Sequence, residues 1–133
     1  MSAIYVAARY DIRERLLHTV VRPLNAAGHR VTSRWISADE NSPVLDADDL
    51  STDLAAGITP GTECLDDIRQ ADVIAIFTDA PSSTGGYHVE LGYALGLGRP
   101  IVVIGPTPNI FYSLPSITRH TSVTDFLQAY GCE

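Results

Sequence analysis

Apolar positions along the chain follow two regimes. Short, nearly unbroken apolar runs at Ile4–Ala8, Val73–Phe77 and Ile101–Ile104 have strand length, as parallel strands covered on both faces do. Between them the apolar residues recur at helical spacing. Ile12, Leu16, Leu17, Val20 and Val21 predict a helix from a cap at Asp11 to about Ala27, with Gly28 placed to stop it. His29 to Ile36 alternates and predicts a second strand. Residues 37–60 carry Ser, Asp, Asn, Pro and Gly, with a short helix expected around Ala47–Ala55; an irregular stretch of that length is a candidate lid. Helices are expected over Thr62–Gln70 and Tyr87–Leu97, the latter ended by Gly98. A short edge strand at Ile117–Thr121 and a helix from Ser122 to about Ala129 complete the pattern.

Strands that alternate with helices imply a parallel sheet with helices on both faces, joined by right-handed crossovers. The expected fold class is α/β: one flavodoxin-like (Rossmann-like) domain over residues 1–133, a three-layer α/β/α sandwich of about five strands in the order 2-1-3-4-5. In that order strands one and three are neighbours. Their C-terminal loops, Ala7 to Tyr10 and Asp79 to Tyr87, would form the ligand crevice.

Composition narrows the function classes. The chain is 45% hydrophobic and 19% charged, with a net charge of -7 and no basic run, which argues against binding a nucleic acid polymer. No apolar run would span a bilayer, and the N-terminus has no basic leader segment, so no membrane association and a cytoplasmic location are expected. Two scattered cysteines, Cys64 and Cys132, support neither a disulfide framework nor a metal site.

The chemistry concentrates after the third strand. Glu90 follows Gly85-Gly86-Tyr87-His88 and is expected in the first turn of the next helix, where a carboxylate between glycines is a candidate nucleophile or base, or else only complements the helix dipole. His88 fits tuning of Glu90, contact with a substrate, or a loop cap. Gly85 and Gly86 would bring backbone N–H groups close to an anionic group. The P-loop Lys-Ser/Thr, the dinucleotide glycine fingerprint and the Gly-x-Ser-x-Gly elbow are all missing, and no cofactor is expected.

Four segments together resemble the nucleoside 2-deoxyribosyltransferase family, including its deoxynucleoside 5′-monophosphate N-glycosidase relatives. They are Ile4-Tyr5-Val6-Ala7-Ala8; Ile68-Arg69-Gln70-Ala71-Asp72-Val73-Ile74; Gly86-Tyr87-His88-Val89-Glu90-Leu91-Gly92-Tyr93-Ala94-Leu95 with Gly98-Arg99-Pro100-Ile101; and Pro108-Asn109-Ile110-Phe111. The resemblance implies that Glu90 attacks the anomeric carbon of a 2-deoxyribose and that Tyr5 orients it. The crevice loops already put Ala7, Arg9, Gly85, Gly86 and His88 around the substrate, and the resemblance adds Thr84 and Cys64. Thr84 takes the place of a sugar-binding Asp in the transferases or a phosphate-binding Ser in the glycosidases. Asn109 and Phe111 would reach a neighbouring subunit's pocket, so a homo-oligomer with shared active sites is expected. Cys64 stands where the family usually has an Asp that exchanges a proton with the base, which puts the proton donor in question; Asp66, Asp67 or the 37–60 loop are the candidate substitutes.

The expected activity is N-glycosidic cleavage and transfer on 2-deoxynucleosides, with a nucleoside or nucleotide and a free nucleobase as partners. Deoxynucleoside 5′-monophosphate hydrolysis is the alternative, and a non-catalytic protein that binds a nucleotide-like ligand is the next.

Overall fold

A computed structural model describes residues 1–37, 54–81 and 85–132. Its centre is a five-stranded parallel sheet in the order β2-β1-β3-β4-β5, the order expected from the crossover pattern. The strands are β1 (Ala3–Ala7), β2 (Arg30–Val31), β3 (Val73–Phe77), β4 (Ile101–Ile104) and β5 (Thr118–His120). Central β3 is buried at all five positions, as its apolar run requires.

Side chains alternate across the sheet and feed two cores. On one face Ile4, Val6, Ala75 and Phe77 pack with Leu16, Val20, Leu24 and Phe126. That face is covered by α1 (Arg13–Leu16), a π-helical turn at Leu17–Val21, α2 (Arg22–Ala26) and the C-terminal helix, α6 (Val123–Ala129). On the other face Tyr5, Ala7, Ile74 and Ile76 pack with Ile68, Tyr87, Leu91 and Ala94. Here the cover is α4 (Leu54–Arg69) and α5 (Gly86–Gly96). Each aliphatic side chain taken from water in this way contributes about 1.5–3 kcal/mol before entropy is counted.

Several elements depart from the pattern read in the sequence. Asp11 does not cap the first helix: it lies within a 3-10 turn at Tyr10–Ile12 whose N-cap residue is Arg9. The helix that follows is not uniform. Pro23 lacks an N–H and its ring crowds the carbonyl of residue 19, and the chain widens into the π turn just before it. Gly28, at φ 92°, ends the helix as expected.

The second strand is far shorter than His29–Ile36. It stops at Val31, and Arg34–Ser37 turns into a short helix, α3. Local side chains take over the ladder that the strand abandons. Ser33 Oγ accepts from the Val6 N–H at 2.5 Å, and the Trp35 indole donates to the Val6 carbonyl at 2.8 Å. The alternating pattern therefore marked residues that satisfy β1 without being a strand.

The helix expected at Thr62–Gln70 begins earlier, at Leu54, and runs through Pro60-Gly61. Part of the 37–60 segment is thus helical. The rest, including most of the helix expected at Ala47–Ala55, lies outside the described residues. Ser122 caps α6 as its spacing predicts, its Oγ accepting from the Asp125 N–H at 3.1 Å. No helix among the described residues is long and apolar enough to cross a membrane.

Candidate active site

Side chains from three separate elements meet on the α4–α5 side of the sheet. Tyr5 sits in the middle of β1, paired in register with Ile74 of β3, and is wholly buried. Its hydroxyl donates to Glu90 Oε2 from α5. Cys64, from α4, lies near enough for the Glu90 carboxylate to act on its thiol. Residues 5, 64 and 90 are joined only because β1, α4 and α5 pack on one another.

Glu90 is the fifth residue of α5, not part of its first turn. Gly85 forms the N-cap at φ 94°, a left-handed conformation that glycine adopts without steric cost. A Cβ built at Gly85 would meet nothing within 4 Å, so the glycine serves the turn and leaves open space beside it. The carbonyl of Gly85 accepts from both the His88 and Val89 N–H groups. The turn thus starts the helix one residue ahead of Tyr87 and sets Glu90, half-buried, one turn further along.

Electrostatics keep two members of the cluster neutral. Burial, and next the Glu90 carboxylate, push the Tyr5 phenol well above its ordinary value. Tyr5 therefore remains a hydrogen-bond donor across the working pH range. Burial, and next Glu90, push the Cys64 thiol up to about 11, although the Tyr5 hydroxyl opposes the rise. Thiolate is the alkylated form, so iodoacetamide labelling of Cys64 is expected to be slow at neutral pH and to keep accelerating towards about 11. Peptide mapping across a pH series checks this. A rate that levels off in the ordinary thiol range near 8.5 would contradict the buried placement beside Glu90.

His88 does not turn to the Tyr5–Glu90 pair for its hydrogen bond. Its Nδ1 lies 2.9 Å from the Tyr112 hydroxyl, and its ring stacks edge-on against Tyr87 and Tyr112. Tyr112 belongs to a 3-10 turn at Ile110–Ser113 and is raised above its ordinary value by burial, with Tyr87 and Glu90 adding to the effect. Tyr87 and Tyr112 were not singled out from sequence as site residues. The available signal was their aromatic character, one at the start of α5 and one in the 3-10 turn after β4, which single-chain spacing does not connect.

The other candidates are distributed around this centre. Ala7 has its side chain sealed in the core. Arg9 pairs with Asp11 at 3.1 Å and donates to the Pro81 carbonyl at 3.4 Å, which joins the loops after β1 and β3 across the expected crevice. Thr84 lies outside the described residues. Asn109 caps its own 3-10 turn through Oδ1 and the Phe111 N–H, while Phe111 and Ile110 are exposed beside it. Trp35 and Tyr10 lie near one another, ring centroids 6.2 Å apart. A cleft of about 550 Å³ lies on the opposite side of β3, between α1 and α6, and none of Tyr5, Cys64 or Glu90 lines it.

The described residues contain no cluster of three or more metal-ligating side chains. What the site presents is one carboxylate, one neutral phenol fixed to it and one neutral thiol behind them. Such a group can attack or stabilise an electron-poor carbon.

No family model and no curated protein matches this sequence. Solved structures do match. One is a 2-deoxyribosyltransferase from the psychrotolerant bacterium Bacillus psychrosaccharolyticus, 22% identical, covering 94% of this chain and 90% of that chain with a TM-score of 0.67. Another is a CMP N-glycosidase from Clostridium botulinum, 16% identical, covering 97% of this chain and 98% of that chain with a TM-score of 0.61. The chain shares their fold over nearly its whole length, and fold alone does not transfer an activity.

Proposed function

We propose that the protein cleaves the N-glycosidic bond of 2-deoxynucleosides and passes the deoxyribosyl group to a second nucleobase, with Glu90 as nucleophile. The observation that carries this reading is the Tyr5 hydroxyl donating to Glu90 from the centre of the sheet. That bond ties the carboxylate to a buried strand paired on both sides. The two structural neighbours, acting on nucleosides or nucleotides by their names, supply the substrate class.

The chemistry suits the groups present. Departure of the base leaves oxocarbenium character on the sugar, which a carboxylate stabilises and then captures, as in retaining glycosidases. A 2-deoxy sugar lacks the hydroxyl that would withdraw electrons from this centre, so one carboxylate is a sufficient nucleophile. Tyr5, held neutral, positions Glu90 without competing for the sugar. Gly85 and Gly86 keep side chains away from the approach to α5. Asn109 and Phe111, exposed on their turn, fit contact with a second copy of the chain, and a homo-oligomer is part of this reading.

Hydrolysis of deoxynucleoside 5′-monophosphates is the second reading, and Cys64 favours it. Transfer requires the incoming base to lose a proton, and a thiol that titrates near 11 is a poor acceptor for it. Incubation with a deoxynucleoside or its monophosphate, with and without a second free base, separates the two. A new nucleoside is expected for transfer, and only free sugar or sugar phosphate for hydrolysis. Absence of any released base across the four natural deoxynucleosides and their monophosphates would refute both.

A further inference from the structure

Three neighbouring side chains of α5 tie the start of that helix to three different segments. The Tyr87 hydroxyl donates to the Ala80 carbonyl at 3.3 Å, in the loop after β3. The Glu90 carboxylate accepts from Tyr5 of β1. His88, between them, reaches forward along the chain: its Nδ1 lies 2.9 Å from the Tyr112 hydroxyl, on the 3-10 turn after β4.

That turn lies in a segment that is almost wholly in water. Every residue from 106 to 116 is exposed except Tyr112, which is wholly buried. The turn's own bonds set its shape. Asn109 Oδ1 accepts from the Phe111 N–H at 2.9 Å, and the Asn109 carbonyl accepts from the Tyr112 N–H at 3.2 Å. Neither bond sets where the turn stands. The segment is moored upstream at Pro106, whose carbonyl accepts from Thr78 Oγ1 at 2.6 Å, and at Thr107, whose hydroxyl accepts from Arg119 at 3.0 Å. At the turn itself the mooring is the Tyr112 side chain. Its ring lies edge-on to Tyr87 and His88, with centroids 6.5 and 5.5 Å away. Asn109 and Phe111, read as reaching a second copy's pocket, are carried on the exposed side of this anchor.

We infer, on the proposed reaction, that His88 is a positioning residue: through Tyr112 it holds the Asn109–Phe111 tip where substrate binding needs it, and leaves the chemical step to Glu90 and Tyr5. A Tyr112 hydroxyl released from His88 lets the tip leave that place for part of the time. Apparent affinity then falls in proportion to the time the tip remains in place, while turnover of the bound complex keeps the rate that the carboxylate sets. His88 and Glu90, two residues apart, thus act on different quantities. Loss of Glu90 lowers kcat, and loss of His88 raises KM.

The test follows base release from a deoxynucleoside in the full chain. Tyr112→Phe keeps the buried ring and removes the hydroxyl. It is expected to raise KM about five- to tenfold, the range of one neutral hydrogen bond, and to leave kcat within about twofold. His88→Ala should do the same, and the double variant no more than either, because all three remove one contact. His88→Asn should recover most of the loss, since its amide stands at the reach of Nδ1 and can donate to or accept from the hydroxyl. An unchanged KM, a fall in kcat as large as the fall in kcat/KM, or an asparagine no better than alanine overturns the inference.

Hydrogen exchange reads the same contact without turnover. The Phe111 and Tyr112 amides should exchange about five- to tenfold faster in Tyr112→Phe than in wild type. Unchanged exchange overturns the positioning role. In a protein inert to every nucleoside, which is failure of the proposed reaction, exchange still decides whether His88 holds the turn.

Discussion

Replacement of Glu90 by Gln is expected to lower base release by about three orders of magnitude, a loss of about 4 kcal/mol in transition-state stabilisation. The amide keeps the shape of the side chain and still offers an oxygen to the Tyr5 hydroxyl. It neither carries the negative charge that an oxocarbenium-like centre requires nor forms a stable ester with C1′. Glu90 is half-buried at the surface of the cluster, so the melting temperature should move little and binding of the nucleoside should survive. Initial rates of base release, followed by chromatography, give the first quantity, and thermal shift with and without nucleoside the second. A variant that retains more than about a tenth of the wild-type rate contradicts the assignment of Glu90 as nucleophile, since loss of a nucleophile costs far more than the tenfold that 1.4 kcal/mol represents.

Asp67→Ala is expected to be the most destabilising single substitution among the α4 carboxylates, by about 2–3 kcal/mol, a fall on the order of 10 °C in melting temperature for a domain of this size. Asp67 is buried, and its carboxylate receives both the Arg34 backbone N–H and the Arg34 guanidinium. Truncation leaves that N–H unpaired at the start of α3. Half of the Arg34 side chain is in water, which keeps the loss below that of a fully buried pair. The neighbouring Asp66 is more exposed and pairs within its own helix, so Asp66→Ala should cost no more than about 0.5 kcal/mol. α3 also carries Trp35, the one tryptophan of the chain, whose indole donates to the Val6 carbonyl. Loosening of α3 should therefore move the tryptophan emission to the red in Asp67→Ala and leave it unchanged in Asp66→Ala. Equal melting temperatures for the two variants would show that the Arg34–Asp67 contact does not anchor α3.

The strands of the sheet were legible wherever burial on both faces left an uninterrupted apolar run, as at Val73–Phe77 and Ile101–Ile104. Period and β-branching carry that information locally. The edge strand β2 was misread in length because His29–Ile36 alternates for a different reason. Ser33 and Trp35 point inward to finish the hydrogen bonding of β1, which a pattern of apolar and polar letters cannot distinguish from a strand. The helix expected from Thr62 began too late because Pro60-Gly61 reads locally as a break, whereas α4 runs through it from Leu54. At the site, Glu90 stood out because glycines and a strand precede it. Its bond to Tyr5 was expected from family resemblance, since no local rule links residues so far apart. The engagement of His88 with Tyr112 was not visible at all, because it depends on how the 3-10 turn at Ile110–Ser113 folds back over α5.

The central claim is a covalent one: the sugar passes through an ester on the α5 carboxylate. A 2-deoxy-2-fluoro nucleoside tests it most directly, because fluorine next to C1′ withdraws electrons and slows release of the intermediate. After brief incubation and acid quench, mass spectrometry of the digested protein should find one fluorodeoxyribosyl unit on the peptide that contains Glu90, and none in Glu90→Gln. Release of the base at a normal rate with no adduct at Glu90, or with the sugar attached to another residue, would contradict the account.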